Sequence, residues 1–186
     1  MTSTPDQDEI EHARSQWAHR GKQRPPWGVE PGPGQESVWD YPRPPHLAPD
    51  ARLVRVAHGG IDVAESRHAI RVLETASPPT FYLPEQDVDT DLLVPGRGSS
   101  HCEWKGRASY WSLKSRDGLI EIVAWSYQEP YPEFDAIRGY FSFYPRKVEC
   151  YVDSQRVRPQ PGGFYGGWIT DEIVGPFKGE PNTRGW

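Results

Sequence analysis

Residues 101–111 read HCEWKGRASYW, which places a thiol, an imidazole, two cations, a carboxylate and three aromatic rings in eleven consecutive positions. In an extended chain, side chains alternate between two faces, so one face here is polar and the other is apolar or small. The apolar face consists of Cys102, Trp104, Gly106, Ala108 and Tyr110. Glycine and alanine between rings leave room for a ligand. The pattern predicts a central strand, running to about Lys114, that forms one wall of a pocket.

The segments on either side of this strand also have the patterns of strands. Residues 53–57 and 61–64 predict a hairpin, and residues 78–84 predict a short strand. Residues 66–74 fit either a helical turn or a strand, and the alternation of Ile70 and Val72 favours the strand. After the central strand, Asp117-Gly118 predicts a turn into a buried strand at 119–127, followed by a short helix at 132–139 and a hairpin at 140–152. The tail, residues 161–186, is rich in glycine and rings, which predicts a loop that closes over the pocket.

The first 35 residues differ in character from the rest of the chain. Thr4-Pro5-Asp6-Gln7 is typical of a helix N-cap, and Gly21 is typical of a helix C-terminus, so we predict a helix between them that docks through Ile10 and Trp17. Residues 22–34 are rich in proline and glycine, as a semi-rigid linker would be. The sequence therefore predicts a helix and linker over residues 1–35 and one folded domain over residues 36–186.

Six segments of this domain occur in the order typical of a bacterial and fungal family named domain of unknown function 427. They are ESVWDYPRP (36–44), RVLET (71–75), PPTFYLP (78–84), HCEWKG (101–106), AWSY (124–127) and FYGGW (164–168). The chain resembles this family, which also carries the label nucleotidyltransferase-like. The resemblance implies a mainly β fold, a single β-tent-like domain of two small antiparallel sheets, to which the N-terminal helix and a proline-rich arm are added. It implies no known reaction.

Composition excludes several classes of function. The formal net charge is −5 and the 21 basic residues are scattered, so the chain lacks the basic surface of a nucleic-acid-binding protein. Cys102 and Cys150 stand 48 positions apart without a Cys-x-x-Cys motif, so we expect no metal site and no other cofactor. Residues 87–91 carry three alternating aspartates, but Leu92 stands where a calcium-binding EF-hand loop needs glycine. We interpret these aspartates as a solvated strand edge.

The chain has neither an apolar segment long enough to span a membrane nor a signal sequence at its N-terminus. We therefore expect a cytoplasmic protein whose thiols are free. Its expected partner is an unidentified small molecule rather than a nucleic acid or a membrane.

We predict that the domain binds a small, flat or cationic organic molecule in a cavity between two sheets. Aromatic rings contribute a large apolar area with few rotatable bonds, and polar groups among them would orient the ligand. The predicted ligand-binding residues are Glu74, Tyr82, Trp104, Lys105, Tyr110, Trp125, Tyr127 and Trp168. The alternative is that these rings are simply the packed core of a small β domain.

A second hypothesis is a metal-free enzyme that acts on such a molecule, with Glu74, Cys102 and Lys105 as candidate catalytic residues. Activation of the Cys102 thiolate would need His101 or Lys105, yet both would point away from it on an extended strand. A buried ion pair between Glu74 and Lys105 would have the same sequence pattern. The nucleotidyltransferase label finds no support in the sequence, which lacks the phosphate-binding loop and paired acids that this reaction needs.

Overall fold

The structure, a computed structural model, describes residues 5–183, 185 and 186. It begins with helix α1, Gln7–Ser15. The N-cap of α1 is Asp6, whose carboxylate accepts a hydrogen bond from the Glu9 N–H at 2.9 Å, while the Asp6 N–H donates to the Glu9 carboxylate at 3.0 Å. This reciprocal capping box satisfies two N–H groups that the helix leaves open. The predicted cap, Thr4, lies outside the described residues.

The prediction that α1 extends to Gly21 is wrong, because the helix ends at Ser15. Ile10 is the one buried residue that the helix contributes, so little packing supports further turns. The chain then turns away, and Trp17 docks onto the domain from the segment that follows the helix.

Strands are the main regular structure in the rest of the chain, so the prediction of a mainly β fold is confirmed. In chain order they are β1 (Glu36–Ser37), β2 (His46–Asp50), β3 (Val54–His58), β4 (Ile61–Ser66), β5 (Ala69–Glu74), β6 (Ser77–Tyr82), β7 (Leu93–Cys102), β8 (Gly106–Ser115), β9 (Gly118–Ser126), β10 (Phe141–Phe143), β11 (Glu149–Val152), β12 (Gln155–Arg156), β13 (Arg158–Pro159), β14 (Trp168–Ile169) and β15 (Ile173–Val174). Short 3-10 helices span Glu85–Asp87, Thr90–Leu92 and Pro132–Ile137. The last of these is the short helix that the sequence predicted.

The strands form several small sheets rather than the two that the family resemblance implied. Two antiparallel sheets have four strands each, in the orders β10-β9-β8-β7 and β12-β11-β3-β4. A third antiparallel sheet has the order β2-β5-β6, and the pairs β13-β14 and β1-β15 complete the set. Prolines lack the N–H that a ladder needs, so residues such as Pro84 and Pro145 interrupt the strands and divide the sheets.

The main hydrophobic core combines residues of the two four-stranded sheets. It includes Val56 of β3, Val123 of β9 and Phe143 of β10, all fully buried. A second cluster of apolar side chains surrounds the site described below. Burial of these side chains is the main force that stabilises so small a set of sheets.

The β2-β5-β6 sheet joins the β7–β10 sheet at one point. Leu83, which follows β6, exchanges two backbone hydrogen bonds of 2.8 Å with Phe141 of β10. Pro84 comes next and cannot extend the ladder. The two sheets are therefore joined at this bridge, and side chains of both line the cavity described below.

The predicted central strand over residues 101–114 is interrupted by a turn. Strand β7 ends at Cys102, residues 103–105 form the turn, and β8 begins at Gly106. Gly106 has a φ of 94°, a conformation that glycine adopts without strain. The alternation of side chains alone could not reveal this turn, since the turn residues Glu103 and Lys105 fit the polar face of a continuous strand.

Two other local predictions were wrong. The segments at 140–152 do form strands, but β10 pairs with β9 and β11 pairs with β3, so they belong to different sheets instead of one hairpin. The aspartates at 87–91 lie in and between two 3-10 helices rather than on a strand edge. Asp87 accepts a hydrogen bond from Ser66 Oγ at 2.6 Å, and Asp89 accepts one from the Asp91 N–H, so these carboxylates stabilise local turns.

Candidate functional site

A cavity of about 230 Å³ lies between the β2-β5-β6 sheet and the β7–β10 sheet. Strands β5 to β9, the N-terminal segment and the tail all contribute to its walls. Six of the eight predicted ligand-binding residues line it, namely Glu74, Tyr82, Lys105, Tyr110, Trp125 and Tyr127. Cys102 lines it as well, so the three candidate catalytic residues share one cavity.

The register of β7, β8 and β9 explains why these side chains converge. Cys102 pairs with Gly106 across the hairpin, and Tyr110 pairs with Trp125. Directly paired residues of antiparallel strands project from the same face, and so do alternate residues of one strand. The predicted apolar face therefore survives the turn between the two strands. Trp104 is the exception, because it lies within the turn.

Three tyrosines and a tryptophan form one end of the cavity. Trp125 Nε1 donates a hydrogen bond of 3.0 Å to Tyr82 Oη, and the Trp125 and Tyr144 rings lie 4.5 Å apart between centroids. Burial raises the pKa values of Tyr82, Tyr127 and Tyr144, so all three are neutral phenols at physiological pH. This end of the cavity therefore offers flat apolar surface with hydroxyl groups that can donate or accept hydrogen bonds.

Glu74 is a carboxylate of the cavity wall, and it has two cationic neighbours. Arg43 Nε donates to Glu74 Oε1 at 3.1 Å, whereas Lys105 Nζ lies 3.9 Å from Glu74 Oε2. Arg43 is itself buried and donates to the carbonyl groups of Thr75 and Trp186. Glu74 is thus held mainly by Arg43, which sequence analysis did not identify, and only loosely by Lys105.

Lys105 points into the cavity because it lies in the turn, where strand alternation does not apply. The residue is 8% exposed, so its ammonium group is nearly removed from bulk water. Burial alone would lower the pKa of Lys105, but the neighbouring Cys102, Glu74 and Tyr82 groups outweigh burial and raise it. Lys105 is therefore a cation fixed at the cavity wall.

A second lysine, Lys178 of the tail, lines the same cavity and was missed by sequence analysis. Lys178 is 3% exposed, and its Nζ lies 3.6 Å from the centroid of the Trp17 ring. Gln160 fixes the backbone here, since its Nε2 donates to the Lys178 carbonyl at 2.7 Å and its Oε1 accepts from the Gly167 N–H at 3.0 Å. The tail has no regular periodicity, so no pattern in the sequence indicated which of its side chains would point inward.

The thiol of Cys102 is poorly placed for nucleophilic chemistry. Burial raises its pKa, more than the nearby Lys105 lowers it, so the thiol stays protonated at neutral pH. His101, the other proposed activator, has its Nε2 2.9 Å from Tyr131 Oη. Burial lowers the pKa of His101, so the imidazole is neutral at physiological pH and supplies no charge to stabilise a thiolate.

Two predicted ligand-binding residues, Trp104 and Trp168, do not line the cavity. Trp168 is fully buried in the main core, where its ring stacks on Phe81 at 5.0 Å and its Nε1 donates to the Phe143 carbonyl at 2.9 Å. Trp104 is buried beside the cavity, with the Arg14 guanidinium 5.2 Å from its ring. For these two rings, the alternative of ordinary core packing describes the structure.

The tail forms part of the cavity wall through Phe164, Tyr165 and Gly166. A Cβ atom on Gly166 would lie 2.3 Å from the Trp125 ring, so the backbone passes directly over that ring. The Phe164 side chain is 68% exposed, which is unusual for a large apolar residue at the mouth of a cavity. The glycine-rich tail thus lines the cavity that the central hairpin helps to form.

A family described as a domain of unknown function, DUF427, matches residues 46–154, which is more than half of the chain. The chain belongs to this family. The match covers β2 to β11 and hence most of the cavity, whereas the DUF427 match does not include Trp17, Gln160 or Lys178. No curated protein matches the chain.

No helix within residues 5–183 and 185–186 has the length and apolar character needed to cross a membrane.

Proposed function

We propose that this DUF427 protein binds a small, flat organic molecule with an anionic group in the cavity described above. The observation that carries the proposal is the pairing of a wall of aromatic rings with two buried lysines, Lys105 and Lys178, in one cavity. Removal of an ammonium group from water is costly unless the charge is paired. Two buried lysines beside an open cavity are therefore unexpected in a core that serves packing alone.

The size of the cavity favours a single-ring ligand. Its volume of about 230 Å³ is somewhat smaller than the ~300–1,000 Å³ typical of pockets for drug-sized molecules. The hydroxyl-bearing rings of the wall suit stacking and hydrogen bonding, while its two lysines suit a charged group.

The charges favour an anion over the cation that the sequence also allowed. Glu74 is held by Arg43 at 3.1 Å, and the second acidic residue of the wall, Glu103, accepts a hydrogen bond from Trp17 Nε1 at 2.8 Å. Each carboxylate therefore has a closer partner than either lysine: Lys105 lies 3.9 Å from Glu74, and Lys178 forms no ion pair among the described residues. A carboxylate or a similar group on the ligand would supply the missing partner.

Three compounds of nearly identical shape test this proposal: benzoate, benzamide and benzamidine, which are anionic, neutral and cationic at neutral pH. Binding is measured by isothermal titration calorimetry at low and at moderate salt. We expect affinity to fall in the order benzoate, benzamide, benzamidine. In Lys105→Met the preference for benzoate should weaken by roughly tenfold, as is typical when a charge-assisted hydrogen bond is lost.

The matched control is Lys22→Met, which removes an exposed lysine that does not line the cavity. It should leave the affinity for all three compounds unchanged. Equal affinity for the three compounds, or an equal loss in both lysine variants, would contradict a specific anion site.

A metal-free enzyme that acts on such a molecule remains the second candidate. It is supported by the position of Glu74, Cys102 and Lys105 on one cavity, and weakened by the raised pKa of the Cys102 thiol. Turnover that is lost in Glu74→Gln while benzoate still binds would favour this candidate.

We also propose a cytoplasmic location. Both cysteines, Cys102 and Cys150, are free thiols in the structure, as is usual in a reducing compartment.

A further inference from the structure

The two buried lysines of the cavity differ in their electrostatic surroundings. Lys105 lies 3.9 Å from the Glu74 carboxylate, which stabilises its charged form. Lys178 has no carboxylate partner among the described residues, and its Nζ contacts the Trp17 and Tyr165 rings at 3.6 Å and 5.3 Å from their centroids. An aromatic ring attracts a cation but offers no lone pair, so it replaces only part of the hydration that the ammonium group has lost.

A second cation lies against the same indole. The Arg43 guanidinium is 4.2 Å from the centroid of the Trp17 ring, and Lys178 Nζ is 3.6 Å from the same centroid. A neighbouring positive charge favours loss of a proton from a cationic group. The arginine guanidinium keeps its proton at any physiological pH, whereas a lysine ammonium can lose one. Lys178 is therefore the group that responds.

The result is a lysine whose amine is available at near-neutral pH. Burial is the main cause that lowers the pKa of Lys178 to about 8, and Arg43 lowers it further, while Glu74, Glu103 and Cys102 act in the opposite direction. At pH 7.5 roughly a quarter of such an amine is neutral, against about 0.1% of an ordinary lysine. A desolvated lysine next to another cation is the arrangement that activates amines as nucleophiles in proteins.

We propose that Lys178 is a nucleophilic amine that forms a Schiff base with a small carbonyl compound bound in this cavity, an aldehyde or ketone that also carries an anionic group. This inference rests on the proposed function, since the cavity must first bind the molecule. Lys105 remains protonated and attracts the anionic group, while Lys178 attacks the carbonyl carbon. The two lysines thus have different roles in one site.

The reaction is balanced without a metal, an oxidant or a reductant. The lone pair of Lys178 Nζ forms a bond to the carbonyl carbon, and the C=O π electrons move to the oxygen. The resulting carbinolamine loses water, whose oxygen comes from the carbonyl group and whose two hydrogens come in net from the amine. A C=N bond remains. The backbone of Lys178 is held on both sides, by its N–H bond to the Ala76 carbonyl and by Gln160, so the amine approaches from a fixed origin.

The experiment uses 4-formylbenzoate, an aromatic aldehyde with a carboxylate, together with sodium cyanoborohydride, which reduces an imine to a stable secondary amine. After a short reaction the full-length protein is digested, and peptide mass spectrometry locates the label. We expect Lys178 to be labelled at least tenfold faster than any exposed lysine, with a rate that rises between pH 6.5 and pH 8.5. Lys178→Met should lose this fast phase.

Binding and chemistry are separated by 4-methylbenzoate, which has the same outline and no carbonyl group. If neither compound raises the melting temperature of the protein, the proposed binding function fails. If both compounds raise it but Lys178 is labelled no faster than exposed lysines, binding stands and the nucleophilic role of Lys178 is overturned. Because the label is located in the wild-type protein, this result does not depend on whether the variant folds.

Discussion

Replacement of Lys178 by methionine should stabilise the protein, although it removes a residue that is almost fully buried. Methionine has a similar length and no charge, so it fills the same space against the Trp17 ring. In the folded protein the pKa of Lys178 is about 8, against an ordinary value of 10.5. This difference corresponds to a destabilisation of roughly 3 kcal/mol at pH 7, which the variant would no longer carry.

The difference in stability between Lys178→Met and the wild type should depend on pH. Below pH 8 the amine is protonated in both the folded and the unfolded state, so the wild-type protein carries the full cost of burying the charge. Between pH 8 and pH 10.5 the amine is largely neutral in the folded state and still protonated in the unfolded state, so the cost that Lys178 imposes on stability falls as pH rises. The advantage of Lys178→Met should therefore be largest at pH 7 and disappear near pH 10.5. Loss of the contact between the ammonium and Trp17, worth about 1–2 kcal/mol, reduces the expected gain to about 1–2 kcal/mol.

Urea unfolding at several pH values, followed by tryptophan fluorescence, measures this difference. Comparison of variant with wild type at each pH cancels the titration of the tyrosines and cysteines that both proteins share. Lys105→Met is the matched control: the pKa of Lys105 is raised in the folded state rather than lowered, so its removal should not give a gain in stability at pH 7 that disappears by pH 10.5. The reasoning would be refuted if both variants were destabilised equally at pH 7, or if the effect of Lys178→Met did not change with pH.

Three further predictions concern residues around the cavity. Arg43→Met should destabilise the fold by about 3–5 kcal/mol, since it leaves Glu74 without its closest partner; a loss below 1 kcal/mol in urea unfolding would show that Arg43 is not needed there. Trp168→Ala should cost about 3–5 kcal/mol as a large cavity forms in the core, and little change in the unfolding midpoint would contradict its place in that core. Cys102 should react with iodoacetamide much more slowly than a free thiol at pH 7.5, because burial raises its pKa; a rate equal to that of free cysteine would show that the thiol is accessible and ionised.

The elements of the fold were largely predictable because their signals are local. The hairpin of β3 and β4, the turn before β9 and the helix at Pro132–Ile137 all follow from alternation and from glycine and proline at particular positions. What the sequence could not show is which strands pair across a distance. The segments at 140–152 resemble a hairpin, yet β10 and β11 join different sheets, and that choice depends on packing in the core.

The candidate site was predictable where strands position the side chains. Tyr82, Tyr110 and Trp125 follow from period-two alternation, and their convergence follows from the register of the sheets. Lys105 was identified although its position in a turn was not foreseen. Arg43 and Lys178 were missed, because each lies in an irregular segment where no periodicity relates the sequence to a face.

Rings alone gave ambiguous predictions. In the sequence, Trp104 and Trp168 could not be distinguished from the rings that line the cavity. In the structure, both are buried and do not line it. A buried aromatic residue stabilises a core and a binding site by the same burial of apolar area, so only its distance from open space separates the two roles.

A crystal structure determined with benzoate tests the central claim most directly. We predict that the aromatic ring of benzoate lies inside the cavity, against the wall that includes Tyr82, Trp125 and Tyr127, with its carboxylate within hydrogen-bonding distance of Lys105 or Lys178. Benzoate bound only at the protein surface, or a cavity that contains nothing but water at a saturating concentration of benzoate, would contradict it.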